Sequence, residues 1–243
     1  MHVEKCGRWL FRRGGELEIP FILAVLVLLR PRYPLGSHWF DEFTDIIGYL
    51  VMLGGVWIRV WAIGYRKAGI SQRRGREIKS SELLTDGLYA YVRNPLYLGN
   101  LVIALGLTVI FSNPWLVLVL LAYLIYYNLI IRAEEDHLTR QFGETCLAYK
   151  RRTPRLLPAI RKGERNRPAR RFDWNEVVRK EKDLFLAATL APIAIEIYED
   201  ILHEGWVQFH THDLGEVVVF LVASALAALL WTLVRQQKKR RLI

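Results

Sequence analysis

Cysteine is almost missing from this chain. Cys6 and Cys146 are the only two, and both lie in segments that loop charge, below, assigns to the cytoplasm, so a disulfide framework is excluded. Without His neighbours at ligand spacing they make no zinc site either, and they read as inert thiols. Acidic residues are outnumbered by basic ones, 24 against 34, leaving a formal net charge of +10. The first apolar run, Ile19 to Leu29, lacks a small-residue cleavage site behind it; Arg30, Pro31 and Arg32 follow instead, so it reads as a retained anchor rather than a signal peptide. No internal repeat is visible.

What the chain has in abundance is apolar sequence, 52% of its residues. High apolar content and high net charge conflict in a water-soluble domain but suit apolar spans separated by basic loops. The basic residues gather at the ends of the apolar runs, where anionic lipid and insertion orientation account for them, so no nucleic-acid partner is expected.

A helix needs about 20 mostly apolar residues to cross the hydrocarbon core. Leu17 to Leu29 is a short candidate; Ile46 to Tyr65, Leu96 to Phe111, Trp115 to Ile131, Leu184 to Leu202 and Val217 to Val234 are the others. The expected fold class is therefore all-α, a polytopic membrane bundle of about six spans with a cofactor pocket facing the cytoplasm. Four basic clusters, around Arg12-Arg13, Arg73-Arg74, Arg151-Arg152 and Lys238 to Arg241, then fall on one side, while Gly36 to Glu42, Ser112-Asn113-Pro114 and His203 to Asp213 contain no Lys or Arg. By the positive-inside rule both termini are cytoplasmic. Residues 163–173, rich in Arg and Pro, form a linker between a core, 1–162, and a C-terminal helix pair, 174–243.

The Ser112-Asn113-Pro114 connection is short enough to force an antiparallel hairpin of spans three and four, with Pro114 suited to a first helical turn. Gly48, Gly54, Gly55 and Gly64 suit close helix approach in span two. Arg59, within the same span, reads as snorkelling to the surface. Two polar stretches flank the hairpin. Leu83 to Asn100 begins with a turn at Thr85-Asp86-Gly87 and brings Tyr89, Tyr91, Arg93, Asn94 and Tyr97 to the membrane surface. Arg132 to Pro158 carries span four out of the bilayer with Arg132, Glu134 and Glu135, stops at Gly143, and returns Tyr149, Arg151 and Arg152 toward the same place.

These residues carry a resemblance. Gly87 and Tyr89, then Arg93-Asn94-Pro95-Leu96-Tyr97-Leu98-Gly99, then Glu134-Glu135, Phe142-Gly143, Tyr149, Pro154 and Pro158 resemble the signature of the isoprenylcysteine carboxyl methyltransferase family and its phospholipid methyltransferase relatives. The match spans roughly residues 45 to 158. The family's His is Asn94 here, which removes an imidazole but keeps a side chain that donates and accepts hydrogen bonds.

The resemblance implies S-adenosylmethionine as cofactor and a lipophilic small molecule, lipidated chain or membrane lipid as acceptor. It implies cofactor binding by Gly87, Leu88, Tyr89, Asn94, Tyr97, Gly99, Glu134 and Glu135, and catalytic roles for Arg93, Glu134 and Arg152, with Arg151 an equal candidate for orienting an anionic acceptor. No metal is expected in that site.

Two other functions remain open at this stage. Membrane sterol reductases share a similar Arg-His-Pro-x-Tyr pattern with a nicotinamide cofactor, and the Glu134-Glu135 pair separates them from this chain. A non-catalytic transporter or scaffold is the other, built on Glu196, Glu199, Asp200 and His203, which share a face of span five, with His210, His212 and Asp213 beyond it.

Overall fold

The computed structural model describes residue 29 and residues 38–66, 71–74, 77–80, 82–158 and 172–203. The expected spans Leu17 to Leu29 and Val217 to Val234, together with Cys6, His210, His212 and Asp213, lie outside or almost wholly outside them. Among the described residues four α-helices follow one another: α1 (His38–Gly64), α2 (Pro95–Ile110), α3 (Leu116–Arg152) and α4 (Trp174–His203). A 3-10 turn, Gly87–Ala90, precedes α2. The helical expectation holds with one addition, an antiparallel ribbon of β1 (Ser71–Arg74) and β2 (Glu77–Ser80) within the basic connection, where Ser71 pairs with Ser80 and Arg74 with Glu77. Such a ladder satisfies backbone groups in a segment with no apolar face to bury.

Two helices, α1 and α3, are long and apolar enough to cross a membrane, and only 39% and 28% of their most apolar stretches are buried within the protein. On α1, Phe43, Ile46, Leu50, Leu53, Trp57 and Trp61 are exposed, and on α3 so are Val117, Leu118, Leu121, Leu124 and Ile125. Apolar stripes of that extent are untenable in water and fit lipid contact. The helix α2, 16 residues long, extends about 24 Å at 1.5 Å per residue, less than the ~30 Å of a typical hydrocarbon core.

The opposite face of α1 packs antiparallel on α2 through two glycine contacts. A Cβ on Gly106 would lie 2.5 Å from the Gly48 carbonyl oxygen, and one on Gly55 would lie 2.7 Å from that of Gly99. The helices meet at backbone distance because neither side carries atoms there. Met52, Val56 and Val60 are buried along the same face. The α2–α3 turn is tight, with Ser112 at φ 50 and the Asn113 side chain accepting from the Trp115 amide at 3.0 Å.

At its far end α3 turns back on itself. Gly143 sits at φ 54, ψ −130 inside the helix, so residues 144–152 leave the axis of residues 116–142 and return toward the 3-10 turn. Asp173 caps the start of α4, accepting from the amides of Asn175 at 2.9 Å and Glu176 at 3.4 Å, as N-cap aspartates do. Its own amide donates to the Gly64 carbonyl at 2.7 Å, and Phe172 packs edge-on to Tyr65 with centroids 5.1 Å apart. The described residues form two compact units that divide between Leu184 and Phe185, so the beginning of α4 belongs with the first.

Gly143→Ala is expected to cost about 1–3 kcal/mol, since a side chain is strained at that backbone conformation even where space is open. Thermal unfolding in detergent measures it, and an unchanged midpoint would contradict the turn.

Candidate active site

Two segments that the hairpin separates in sequence meet at the end of it opposite the Ser112 turn. One backbone bond and one side-chain bond join them: the Arg93 amide donates to the Pro154 carbonyl at 2.9 Å, and the Tyr149 hydroxyl donates to the Tyr89 carbonyl at 2.6 Å. Side chains then close the seam around Glu135, which is only 5% exposed. Arg93 donates through Nε to Oε1 at 3.0 Å and through Nη2 to Oε2 at 3.5 Å. Arg155 donates to Oε2 at 2.9 Å, and the Asn94 amide to Oε1 at 3.2 Å. Both carboxylate oxygens are therefore occupied by protein donors.

The donors are themselves held. Arg93 Nη1 donates to the Lys150 carbonyl at 2.7 Å, Arg155 Nη1 to Asn128 at 3.1 Å, and Asn94 Nδ2 also to the Arg155 carbonyl at 3.2 Å. Asn94 thus uses its amide group for two donations to two segments. A neutral imidazole has one N–H to give, so the departure from the family's His has a structural job here.

Glu134, next in sequence, lives differently. It is half-buried and accepts from the Tyr97 hydroxyl at 2.9 Å. The Tyr97 ring packs edge-on to Tyr127, centroids 5.1 Å apart, and Tyr123 and Tyr126 lie against Tyr127 at 4.4 and 5.5 Å. With Ile130, Ile131, Leu101 and Leu156 these rings form an apolar cluster under the seam. A carboxylate beside four tyrosine rings is a setting for a cation.

Gly87 is buried at φ 59 and opens the 3-10 turn, with Leu88 and Tyr89 half-buried behind it. Gly99 sits elsewhere: it faces α1, where a Cβ would meet the Arg59 side chain at 2.5 Å and the Gly55 carbonyl at 2.9 Å. Close helix packing explains that glycine. Arg152 is exposed at the end of α3, and Arg151 makes a loose surface contact with Glu144 at 3.9 Å. Inside the seam stands Arg155, which belongs to the basic cluster around Arg151-Arg152 and is not part of the signature.

Arg59 does not snorkel. Its Nε and Nη2 donate to the two carboxylate oxygens of Glu181 at 2.9 and 2.7 Å, with side chains 17% and 2% exposed. An arginine inside an apolar helix signals that a partner is needed, but nothing in the sequence says which. Of the acidic face of α4, Glu199 is buried. Among the described residues no three His, Cys, Asp or Glu side chains gather as a metal site. Cys146 is free and buried.

The pattern of the phospholipid methyltransferase family matches residues 43–145. The chain is 35% identical over 149 residues to a nickel-cobalt-cadmium resistance protein of Alcaligenes xylosoxydans xylosoxydans, covering 61% of this chain and 65% of that one. It is 36% identical over 162 residues to the protein-S-isoprenylcysteine O-methyltransferase of Schizosaccharomyces pombe, covering 63% and 67%. It is 32% identical over 128 residues to a methanethiol S-methyltransferase of Bradyrhizobium diazoefficiens, covering 52% and 46%. No solved structure matches. The fold and the seam define a helical membrane protein in which Arg93, Asn94, Glu135 and Arg155 meet at one end of a hairpin. The chain belongs to the isoprenylcysteine O-methyltransferase-like family of membrane methyltransferases. It spans 65% of the length of the metal-resistance relative.

Removing Glu135 leaves two arginines facing each other at a buried position. Glu135→Ala is accordingly expected to cost about 3–5 kcal/mol, and Glu134→Ala no more than about 1.5 kcal/mol, since a half-exposed carboxylate contributes less than an enclosed one. Unfolding midpoints in detergent give both, and equal losses would remove the distinction between the two carboxylates.

Desolvation of the Tyr149 hydroxyl, with the nearby Tyr89 phenol adding to it, pushes its pKa above the usual 10.0, and burial does the same for Tyr89. The unfolded chain then loses these protons first, so their contribution is complete below pH 10.0 and fades as pH rises further. Tyr149→Phe should flatten the fall in thermal stability between about pH 9.5 and 11; an identical slope would count against the buried phenol.

Proposed function

We propose that the chain is an S-adenosylmethionine-dependent methyltransferase acting on a lipophilic acceptor at the cytoplasmic surface of a membrane. The observation that carries this reading is the different state of two adjacent carboxylates. Glu135 is enclosed by Arg93, Arg155 and Asn94, whereas Glu134 is half-exposed beside Tyr97 and the tyrosine cluster. The residues fit the cofactor's chemistry: a sulfonium suits a carboxylate and aromatic faces, and backbone amides at the Gly87 turn suit polar ends.

When bound, S-adenosylmethionine supplies an electrophilic methyl group on a positively charged sulfur. Glu134 provides the negative charge that holds the cationic end, with Tyr97 fixing the carboxylate's orientation. Gly87, Leu88 and Tyr89 form the wall against which the cofactor lies. Asn94 contributes its amide oxygen. Arg93 and Glu135 act by positioning, since their hydrogen-bonding groups already serve the seam. Arg152, exposed and cationic, orients an anionic acceptor.

In this reading the chain crosses the bilayer six times with both termini on the cytoplasmic side, and α1 and α3 are two of the crossings. The acceptor is a prenylcysteine-like carboxylate or another lipid, entering from the hydrocarbon side past the exposed faces of α1 and α3. Of two relatives, one is named for isoprenylcysteine and one for methanethiol, so similar chains differ in the acceptor they are named for. The metals named for another relative are not carried over.

Isothermal titration of the detergent-purified protein is expected to detect S-adenosylmethionine and its demethylated product, with Glu134→Gln weakening the former by roughly tenfold or more, the scale of a lost charge-assisted contact. Folded protein that binds neither would overturn the reading, and binding of NADPH instead would make it a reductase. Loss of function in Glu196→Gln with Glu134→Gln unaffected would favour a transporter.

A further inference from the structure

A chain of contacts, all of them hydrogen bonds except one ring pair, runs from the start of α4 to Glu134. Glu181, 1% exposed, receives two bonds from Arg59. The third nitrogen of Arg59, Nη1, donates to Oδ1 of Asn100, and Nδ2 of Asn100 donates to the Tyr127 hydroxyl at 2.6 Å. Tyr127 shares a hydrogen bond with Tyr123 and carries the Tyr97 ring against its own. Tyr97 in turn donates to Glu134. Every link is a described contact within the first compact unit.

The chain has a direction. An arginine can only donate, so Arg59 fixes the Asn100 amide with its oxygen toward α1 and its NH2 toward Tyr127. Without it the amide is free to turn over and present its oxygen to Tyr127, whose hydroxyl would then have to donate there instead of accepting. Gly99 makes the crossing feasible, because a Cβ there would stand 2.5 Å from the Arg59 side chain as it passes toward Asn100. The Gly at the end of the Arg-x-Pro-x-Tyr-x-Gly run is thus the opening through which α1 reaches the α2–α3 interface.

We infer that Glu181 and Arg59 are positioning residues for Glu134, so that the start of α4, beyond the region that matches the family pattern, completes the donor site. This rests on the methyl-donor reading above. Its distinctive consequence concerns charge: misplacing Glu134 weakens recognition of a sulfonium but leaves recognition of the uncharged thioether product untouched.

The test measures affinities for S-adenosylmethionine and S-adenosylhomocysteine by titration of the full-length protein. The variants are Tyr127→Phe, which deletes one hydroxyl, and the double substitution Arg59→Gln with Glu181→Gln, which neutralises the pair without stranding a buried charge. Both should reduce the preference for the sulfonium about fivefold, the size of one net hydrogen bond, with thioether affinity within about twofold and in the direction set by Glu134→Gln. If both ligands weaken together, or neither changes, Arg59 and Glu181 are a strut and the inference fails alone. If the wild-type protein binds neither ligand, the methyl-donor reading falls and takes the inference with it.

Discussion

The seam that closes the two segments flanking the hairpin is arranged around the carboxylate of Glu135. It receives Arg93 and Asn94 from the segment ahead of the hairpin and Arg155 from the segment behind it. A buried carboxylate without donors would cost several kcal/mol, and the largely enclosed Arg93 guanidinium without an anion would be costly too. Either side alone is untenable, so the two segments are driven to meet. Such a pair is weak evidence for net stability; what it fixes here is which segments meet. Two further contacts lie in the same register: Arg93 reaches the Lys150 carbonyl and Tyr149 reaches Tyr89.

The consequence for chemistry lies one residue away. Successive positions on a helix point about 100° apart, so when Glu135 faces the seam Glu134 faces the tyrosines of α2 and α3. A single sequence pair therefore provides one anion for architecture and, in the proposed function, one for a ligand. The same economy appears in Asn94, whose amide bridges both Glu135 and the Arg155 carbonyl.

Much of this was legible in the residues. The order Arg93, Asn94, Tyr97, then the hairpin, then Glu134-Glu135 and the Gly143 turn foretold which segments converge, and local rules for turns and helix stops made that possible. The division between Glu134 and Glu135 was not legible, because it depends on the rotation of α3 against α2. Arg155 was hidden among loop arginines identical to it in composition. The partner of Arg59 was hidden by distance, 122 residues along the chain, in a stretch of alternating Lys and Glu where any acidic residue looks solvated. The domain reading suffered from the same blindness: residues 163–173 have linker composition, yet Phe172 and Asp173 are bound to the end of α1.

The Arg59–Glu181 pair shows why the start of α4 cannot be treated as an appendage. A guanidinium inside an apolar helix has three options: reach water, thin the bilayer around it, or find an anion. Here Gly99 blocks none of its path to Asn100, and Glu181 arrives in a bidentate geometry that matches the planar fork. Lysine at 59 would keep the charge but serve fewer of these acceptors at once, since it offers a point charge rather than a fork. The arginine therefore does more than neutralise a buried carboxylate. It joins α1, α2 and α4 at one point, and that point is linked by Asn100 to the ring that carries Tyr97.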